Sequence, residues 1–500
     1  MKTRKQMTAL QAGALGDDAD KWSSIDFEHA RREVRRLQVR IAKAVQENRW
    51  NKVSALQYLL THSFHAKLLA VKRVTSNKGK MTPGIDGVLW RGARAKWRAV
   101  ISLRRRGYHP QPLRRIYIEK KNGKLRPLSI PIMYDRAQQA LYKLALAPVA
   151  ETTADRNSYG FREGRSCADA VACAFNALSK PNSAPWVLEG DIKGCFDNIS
   201  FKWILENIPM DKAVLQKWLK SGYVEKGVTY PTRKGVPQGG IISPTISNMV
   251  LDGLEEAVHS AVPRRRRINF VRYADDFIIT GKSKKILKEV IQPVVEAFLA
   301  VRGLELSIEK TLITHIKHGF TFLGQTFRKL GRKLHITPSD AGVHTLMQKV
   351  TELIPKYVTA PMPALIKKLN SVLRGWANYH RHVVASAAFS RIDAYVFDEI
   401  RCMLRRRHPN KSVQWLIQNY WSAAGKNICA VWANTITGGK KLYKLLRIST
   451  IGIRRHVKIK AAANPYDPDY AAYFWRRRHD RESKLLPTLS AREFRAMKAA

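Results

Sequence analysis

The chain has 500 residues, 45% hydrophobic and 26% charged, enough for several cores; at about 150 residues per domain, three or so units are expected. Its 89 Lys and Arg outweigh 39 Asp and Glu, a net charge of +50, where solubility asks only about 2–8 of a small domain. No apolar run nears the roughly 18 residues of a spanning helix, and Met1–Ala14 has no apolar stretch for a signal peptide. The surplus of cations points to a polyanion, with nucleic acid first, because phosphate contacts release counterions.

Residues 1–25 are polar and read as an unstructured lead, with Asp17, Asp18 and Asp20 ill suited to a transit peptide. From Asp26 to Leu69 the chain reads as helical, with Val34, Leu37, Ile41 and Val45 recurring at three and four. A Gly- and Pro-rich stretch over 77–87 breaks that pattern. Strand-like runs then alternate with helices: Leu113–Lys120, a helix around Asp135–Leu146, Trp186–Ile192, Asn269–Thr280 and Gly319–Phe327. Hairpin-linked mixed elements predict α+β, not a doubly wound parallel sheet. After about Pro338 strands fade and helices dominate to about Asn434, and Arg454–Lys460 alternates like a basic strand or sheet edge. The five cysteines (Cys167, Cys173, Cys195, Cys402, Cys429) form no CxxC pair, which suits a reducing compartment and excludes zinc-finger spacing.

Three acids stand where strands end. Asp275 and Asp276 interrupt the apolar run Phe270–Ile279 as a hairpin tip would, and Asp191 follows the run from Trp186. Alone, an Asp-Asp pair is an ordinary turn and Asp191 an ordinary cap. If the strands are sheet neighbours, the carboxylates converge and repel. Two Mg²⁺ ions about 3.5–4 Å apart would compensate them, one activating a 3′-hydroxyl and one steadying a leaving pyrophosphate.

The segment Tyr273-Ala-Asp-Asp276 resembles the YxDD signature of reverse transcriptases, in surroundings similar to those encoded within group II introns. The resemblance continues, in family order, through 81–87, 120–128, 158–166, Gly235-Val-Pro-Gln-Gly-Gly-Ile-Ile-Ser-Pro244, 306–314 and Phe322-Leu-Gly324. It implies a right-hand polymerase with fingers, an antiparallel palm sheet and a helical thumb, using Mg²⁺ and deoxynucleoside triphosphates. Asp191, Asp275 and Asp276 would be catalytic, with the Ile192 carbonyl as a further metal ligand. Gly123 would turn a fingers hairpin so that Lys120 and Arg126 face one phosphate group, though alone that stretch reads as a solvated turn. The match places Gln238 at the incoming nucleotide and makes Phe196 the gate that rejects a 2′-hydroxyl. Lys310 is weighed evenly between the triphosphate and open solvent.

Downstream, Leu369-Asn-Ser-Val-Leu-Arg-Gly-Trp-Ala-Asn-Tyr-His-Arg381 and 409–421 resemble the maturase segment of intron-encoded proteins. Leu369, Val372, Leu373 and Trp376 share one helical face. The expected RNA contacts are Arg374, Trp376, Arg381, Arg405, Arg406 and Arg407. Arg454, Arg455, Lys458, Lys460, Arg476, Arg477 and Arg478 are expected to meet DNA phosphates. Residues 465–478 resemble the linker before an HNH nuclease; 465–500 hold no Cys pair or His-Asn-His cluster, so a nuclease-free form is expected. The expected units are 1–49, an N-terminal extension; 50–330, fingers and palm; 331–434, thumb and maturase helices; and 435–500, a basic DNA-contacting segment. The implied partners are group II intron RNA, target DNA and a primer strand at a replication fork, with a homodimer left open and no membrane. The implied setting is the bacterial cytoplasm, at the nucleoid when DNA is bound. A splicing factor without polymerase activity and a defence-related reverse transcriptase are the alternatives.

Overall fold

Asp26 opens the first long helix, its carboxylate accepting from the backbone N–H of Glu28 and His29 at 2.8 and 2.9 Å. In that helix, Phe27–Gln46, Val34, Ile41 and Val45 are buried at the spacing the sequence predicts. It shares one core with Trp50–His62, Phe64–Ser76 and Met133–Thr153, through residues such as Leu60, Val71 and Leu141. The expected division at 49/50 therefore falls inside a continuous helical core. The computed structural model describes residues 18–119, 123, 125–263, 267–421, 428–434 and 438–479, and residues 18–23, within the expected polar lead, are helical.

In chain order the strands are β1 (Leu113–Glu119), β2 (Leu125–Ile130), β3 (Trp186–Gly190), β4 (Tyr223–Glu225), β5 (Val228–Tyr230), β6 (Asn269–Tyr273) and β7 (Asp276–Gly281). They continue with β8 (Leu312–His315), β9 (Phe320–Phe322), β10 (Gln325–Leu330), β11 (Lys333–Pro338), β12 (Ala430–Asn434) and β13 (Lys440–Lys444). Among the described residues they form four sheets, ordered β2-β1-β4-β5, β6-β7-β3-β8, β11-β10-β9 and β12-β13. Only β1 and β4 pair in parallel among these strands. The architecture is α+β, as expected.

The β6-β7-β3-β8 sheet carries the acids, and both its faces are covered. Leu188, Phe270 and Ile279 point into one core, while Val187, Val271 and Ile278 point into another. Burial on both sides is why these strands read as unbroken apolar runs.

Beyond β11, the helices Asp340–Leu353, Met362–His380, Ser386–Arg407 and Val413–Tyr420 pack around Leu369, Leu373, Ile392, Val396 and Leu416. Two expectations fail here. Strand structure does not end near Pro338, because β12 and β13 form a hairpin next to this core. Residues 454–460 form no strand, because their backbone donors go elsewhere: Arg454 N–H to the Arg381 carbonyl and Ile459 N–H to the Asp169 carboxylate. Asp169 is fully buried and also accepts from Ser166, His456 and Arg477, which ties residues 456–477 to the helix Cys167–Leu178.

Candidate active site

β3 ends at Gly190, where a side chain would collide with the Phe277 ring: a Cβ there would lie 2.1 Å from Phe277 Cζ. Gly190 pairs with Phe277, so the next step along each strand brings Asp191 towards Asp276. Across the other edge of β7, Tyr273 pairs with Asp276, which leaves Ala274 and Asp275 as a two-residue turn. Ala274 takes a left-handed φ of +58°, as one tight hairpin geometry requires. The turn is pressed on from outside, since a Cβ at Gly160 would meet the Ala274 nitrogen at 2.4 Å.

Beneath the turn lies a residue that the motif reading missed. Arg272 is wholly buried, bonded to Asp252 at 2.5 Å with Asp155 at 3.8 Å, and it donates to the Ala274 carbonyl at 3.4 Å. Its signal in the sequence was an arginine at an inward position of a strand whose neighbours are apolar. Such a charge survives burial only when paired.

The three acids feel one another. Burial pushes the Asp276 carboxyl up to about 6, helped by the charges of Asp275 and Asp191 and opposed by Lys310. Burial and Asp191 likewise raise Asp275, against the pull of Arg126 and Lys310. Lys310 Nζ rests 2.8 Å from Asp191 Oδ2, and that hydrogen bond raises its own pKa. This carboxylate cluster is short of positive charge. Among the described residues no group of three or more His, Cys, Asp or Glu, these three acids included, is placed to hold a metal ion by itself. A hard cation held by one or two carboxylates plus substrate phosphates needs none, so the donor set fits Mg²⁺.

Around the acids, Phe196 is half-buried against the core, with its ring edge-on to Phe161 at 6.5 Å. Gln238 donates to Asp197 at 2.8 Å, and its carbonyl accepts from Ser129 of β2 at 2.7 Å, which couples this loop to the β1–β2 hairpin. Gly235, at φ +81°, admits the backbone of Phe196 and Asp197 where a Cβ would clash at 2.6 Å. Arg126 is exposed on β2 opposite Ile118, and Ile192 is buried in a bridge to Leu306. Lys120 lies outside the described residues.

Three family models match in order: "N-terminal domain of reverse transcriptase" over 22–103, "Reverse transcriptase (RNA-dependent DNA polymerase)" over 118–327, and "Group II intron, maturase-specific domain" over 343–421. Protein YkfC of Escherichia coli is 32% identical over 53% of this chain and 81% of its own length. The chain belongs to the group II intron reverse transcriptase and maturase family. The group II intron-encoded protein LtrA of Lactococcus lactis is 32% identical over 58% of this chain. A putative COX1/OXI3 intron 1 protein of Saccharomyces cerevisiae is 25% identical over 71%. This reverse transcriptase spans 59% of the LtrA length and 49% of the yeast protein.

In its maturase region Arg374, Arg405 and Arg406 are exposed. Trp376 instead packs on His380 and Phe389, and Arg407 bonds the carbonyls of Tyr357, Val358 and Ala360. Arg381 is half-buried and donates to Asn378. Among the residues expected to meet DNA, Arg477 serves the Asp169 network and Val457, Lys458 nears Cys173, and Lys460 lies over the Tyr473 ring. Arg478 pairs with Glu163, while Arg454, Arg455 and Arg476 present exposed side chains. Trp376, Arg407 and Arg477 thus each have partners within the protein while staying partly exposed. No helix among the described residues is long and apolar enough to cross a membrane.

Proposed function

We propose that this family member copies RNA into DNA at Asp191, Asp275 and Asp276, and that its helical region holds intron RNA for splicing. The observation that carries the first part is the strand register, which brings Asp191 beside Asp276, with Asp275 in the adjoining turn, at one sheet end. Asp191, Asp275, Asp276 and the Ile192 carbonyl are the ligands proposed for two Mg²⁺ ions. Bound there, the pair would acidify a primer 3′-hydroxyl and neutralise charge on departing pyrophosphate. Arg126, with Lys120, binds the triphosphate; Lys310 exchanges its Asp191 contact for phosphate oxygens; Phe196 excludes a 2′-hydroxyl; and Gln238 orients the nucleotide. Exposed Arg374, Arg405 and Arg406 meet intron phosphates and leave transesterification to the RNA. Arg455 on the exposed C-terminal surface supports target DNA as a second partner.

Primer extension on an RNA template, run beside splicing of a group II intron precursor, tests both parts. Mg²⁺-dependent cDNA together with faster splicing is expected. Splicing without cDNA would leave an RNA-binding splicing factor; cDNA without splicing would leave a polymerase alone.

A further inference from the structure

A pocket of about 290 Å³ lies in the helical region, between the helix Ser386–Arg407 and the loop 445–449. That is just under the roughly 300–1,000 Å³ of a drug-sized site, and so suits a smaller ring system. Val396, Trp421 and Cys429 are buried at its floor, Phe397 forms a half-buried wall, and Ala394 and Arg447 stand exposed at its mouth. The Phe397 and Trp421 rings meet at 5.4 Å and 58°. The rim is fixed, because the Asp393 carboxylate accepts from the backbone N–H of Ile448 and of Ser449 at 2.9 Å each and ties the loop to the helix.

The lining selects its occupant. The Trp421 Nε1–H is buried and has no acceptor among the described residues. A hydrocarbon would leave that donor unsatisfied, at a cost that a ring carrying an acceptor removes. A free phosphate fails on the apolar floor. The mouth adds charge. At 3.6 residues per turn, Arg401 and Arg405 fall within about 20° of Ala394 round the helix, and all three are exposed. Arg401 is held only by a surface pair with Asp398 at 3.2 Å, which water screens. Arg447 has no carboxylate at ion-pair distance among the described residues. An aromatic slot with one spare donor, opening on a cationic helix face, is what an unstacked base on its phosphate backbone needs.

We infer that this pocket takes a single unstacked nucleobase of the bound RNA, its ring against Phe397 and Trp421, an acceptor on it receiving the Trp421 N–H, and Arg447 on the adjoining phosphate. The assignment rests on the reading of the helical region as the holder of intron RNA, and adds to it a point of base contact where Arg374, Arg405 and Arg406 offer charge alone.

The test measures binding of the full chain to labelled single-stranded RNAs of about ten nucleotides, one of each base, and to an abasic strand of the same length. The wild type should bind at least one base-bearing strand about 5- to 150-fold tighter than the abasic one. A394F, which sets a ring in the mouth from an exposed helix position, should remove most of that preference and leave abasic binding unchanged, while A394S should keep it. W421F retains a ring and loses the donor, and should weaken base-bearing strands about 2- to 10-fold. R447Q should lower the log–log salt slope by about 0.7. A base preference unchanged in A394F, or in W421F should A394F not melt as a folded protein, would overturn the inference. Abasic binding lost to the same degree would also overturn it, as would toluene bound by the wild type and not by A394F with RNA binding untouched, which would make this a site for apolar molecules. Splicing of an intron precursor by the wild type separately tests the reading beneath, so a splicing-competent protein indifferent to A394F fails this inference alone.

Discussion

Lys310 Nζ lies 2.8 Å from Asp191 Oδ2, so a cation of the protein already faces the carboxylate that ends β3. The lysine side chain is 65% exposed, and such a pair is screened by water. It is therefore displaced easily. Lys310→Met should tighten the half-saturating Mg²⁺ concentration for primer extension about 1.5- to 5-fold, the scale of an exposed ion pair, while raising the nucleotide KM. A Mg²⁺ titration that superimposes on the wild type would remove Lys310 from the site.

Asp275→Asn with Asp276→Asn should lower primer extension about 10³-fold or more. The fold should hold, because removing two mutually repelling carboxylates relieves the tension that burial places on Asp276. Extension rate, thermal melting and intron splicing on one preparation separate the two outcomes. Normal extension would refute the site, and equal loss of splicing would refute independent polymerase and maturase roles.

Phe196 packs against the core on one side and Phe161 on the other, so its ring has little room to yield. Phe196→Ala should shift competition between ribo- and deoxynucleotides at least tenfold towards the ribonucleotide. Unchanged selectivity would make Phe196 a packing residue.

The sheet was legible because both its faces are buried, which leaves apolar runs with acids at their ends. Val187, Leu188 and Ile278 show no alternation, yet length and flanking acids sufficed to place β3 and β7. The β12–β13 hairpin was not legible. Its strands have one sheltered edge and carry Trp432, Lys440 and Lys441 outwards, so neither period stood out. Asp169 read as an ordinary residue near a helix start, because its partners His456 and Arg477 lie 287 and 308 residues away. Charge alone also could not separate Arg407, spent on three carbonyls, from Arg405 and Arg406 beside it.

Arg272→Gln should be far more destabilising than any of these active-site changes. It would strand Asp252 beneath the turn, where burial already raises that carboxyl to about 7 despite the arginine. Removing one partner of a buried pair costs about 3–5 kcal/mol. Denaturant unfolding checks the loss, and a change under about 1 kcal/mol would show that water reaches the pair.

His380 is buried against Gln325, at 3.0 Å, and burial followed by the charge of His382 lowers it to about 4. The unfolded chain, at its usual value of about 6.5, takes up the proton first. Stability is therefore whole above about pH 6.5 and falls as pH drops towards 4, by up to about 3 kcal/mol. Unfolding free energies across that window should decline more steeply in the wild type than in His380→Gln. Parallel curves would place the ionisation elsewhere.

The ties that converge on Asp169 also set a timetable. Its partners at 456, 459 and 477 follow it by 287, 290 and 308 residues. A ribosome adding about 5–20 residues per second makes those last partners about 15–60 s after Asp169 itself. Through that interval the carboxylate must be served by water and by Ser166 alone, and the helix whose first turn it occupies cannot bury it fully. The first turn of the Cys167–Leu178 helix is thus made long before the residues that bury its carboxylate exist, and that site closes only when the end of the described chain has been synthesised.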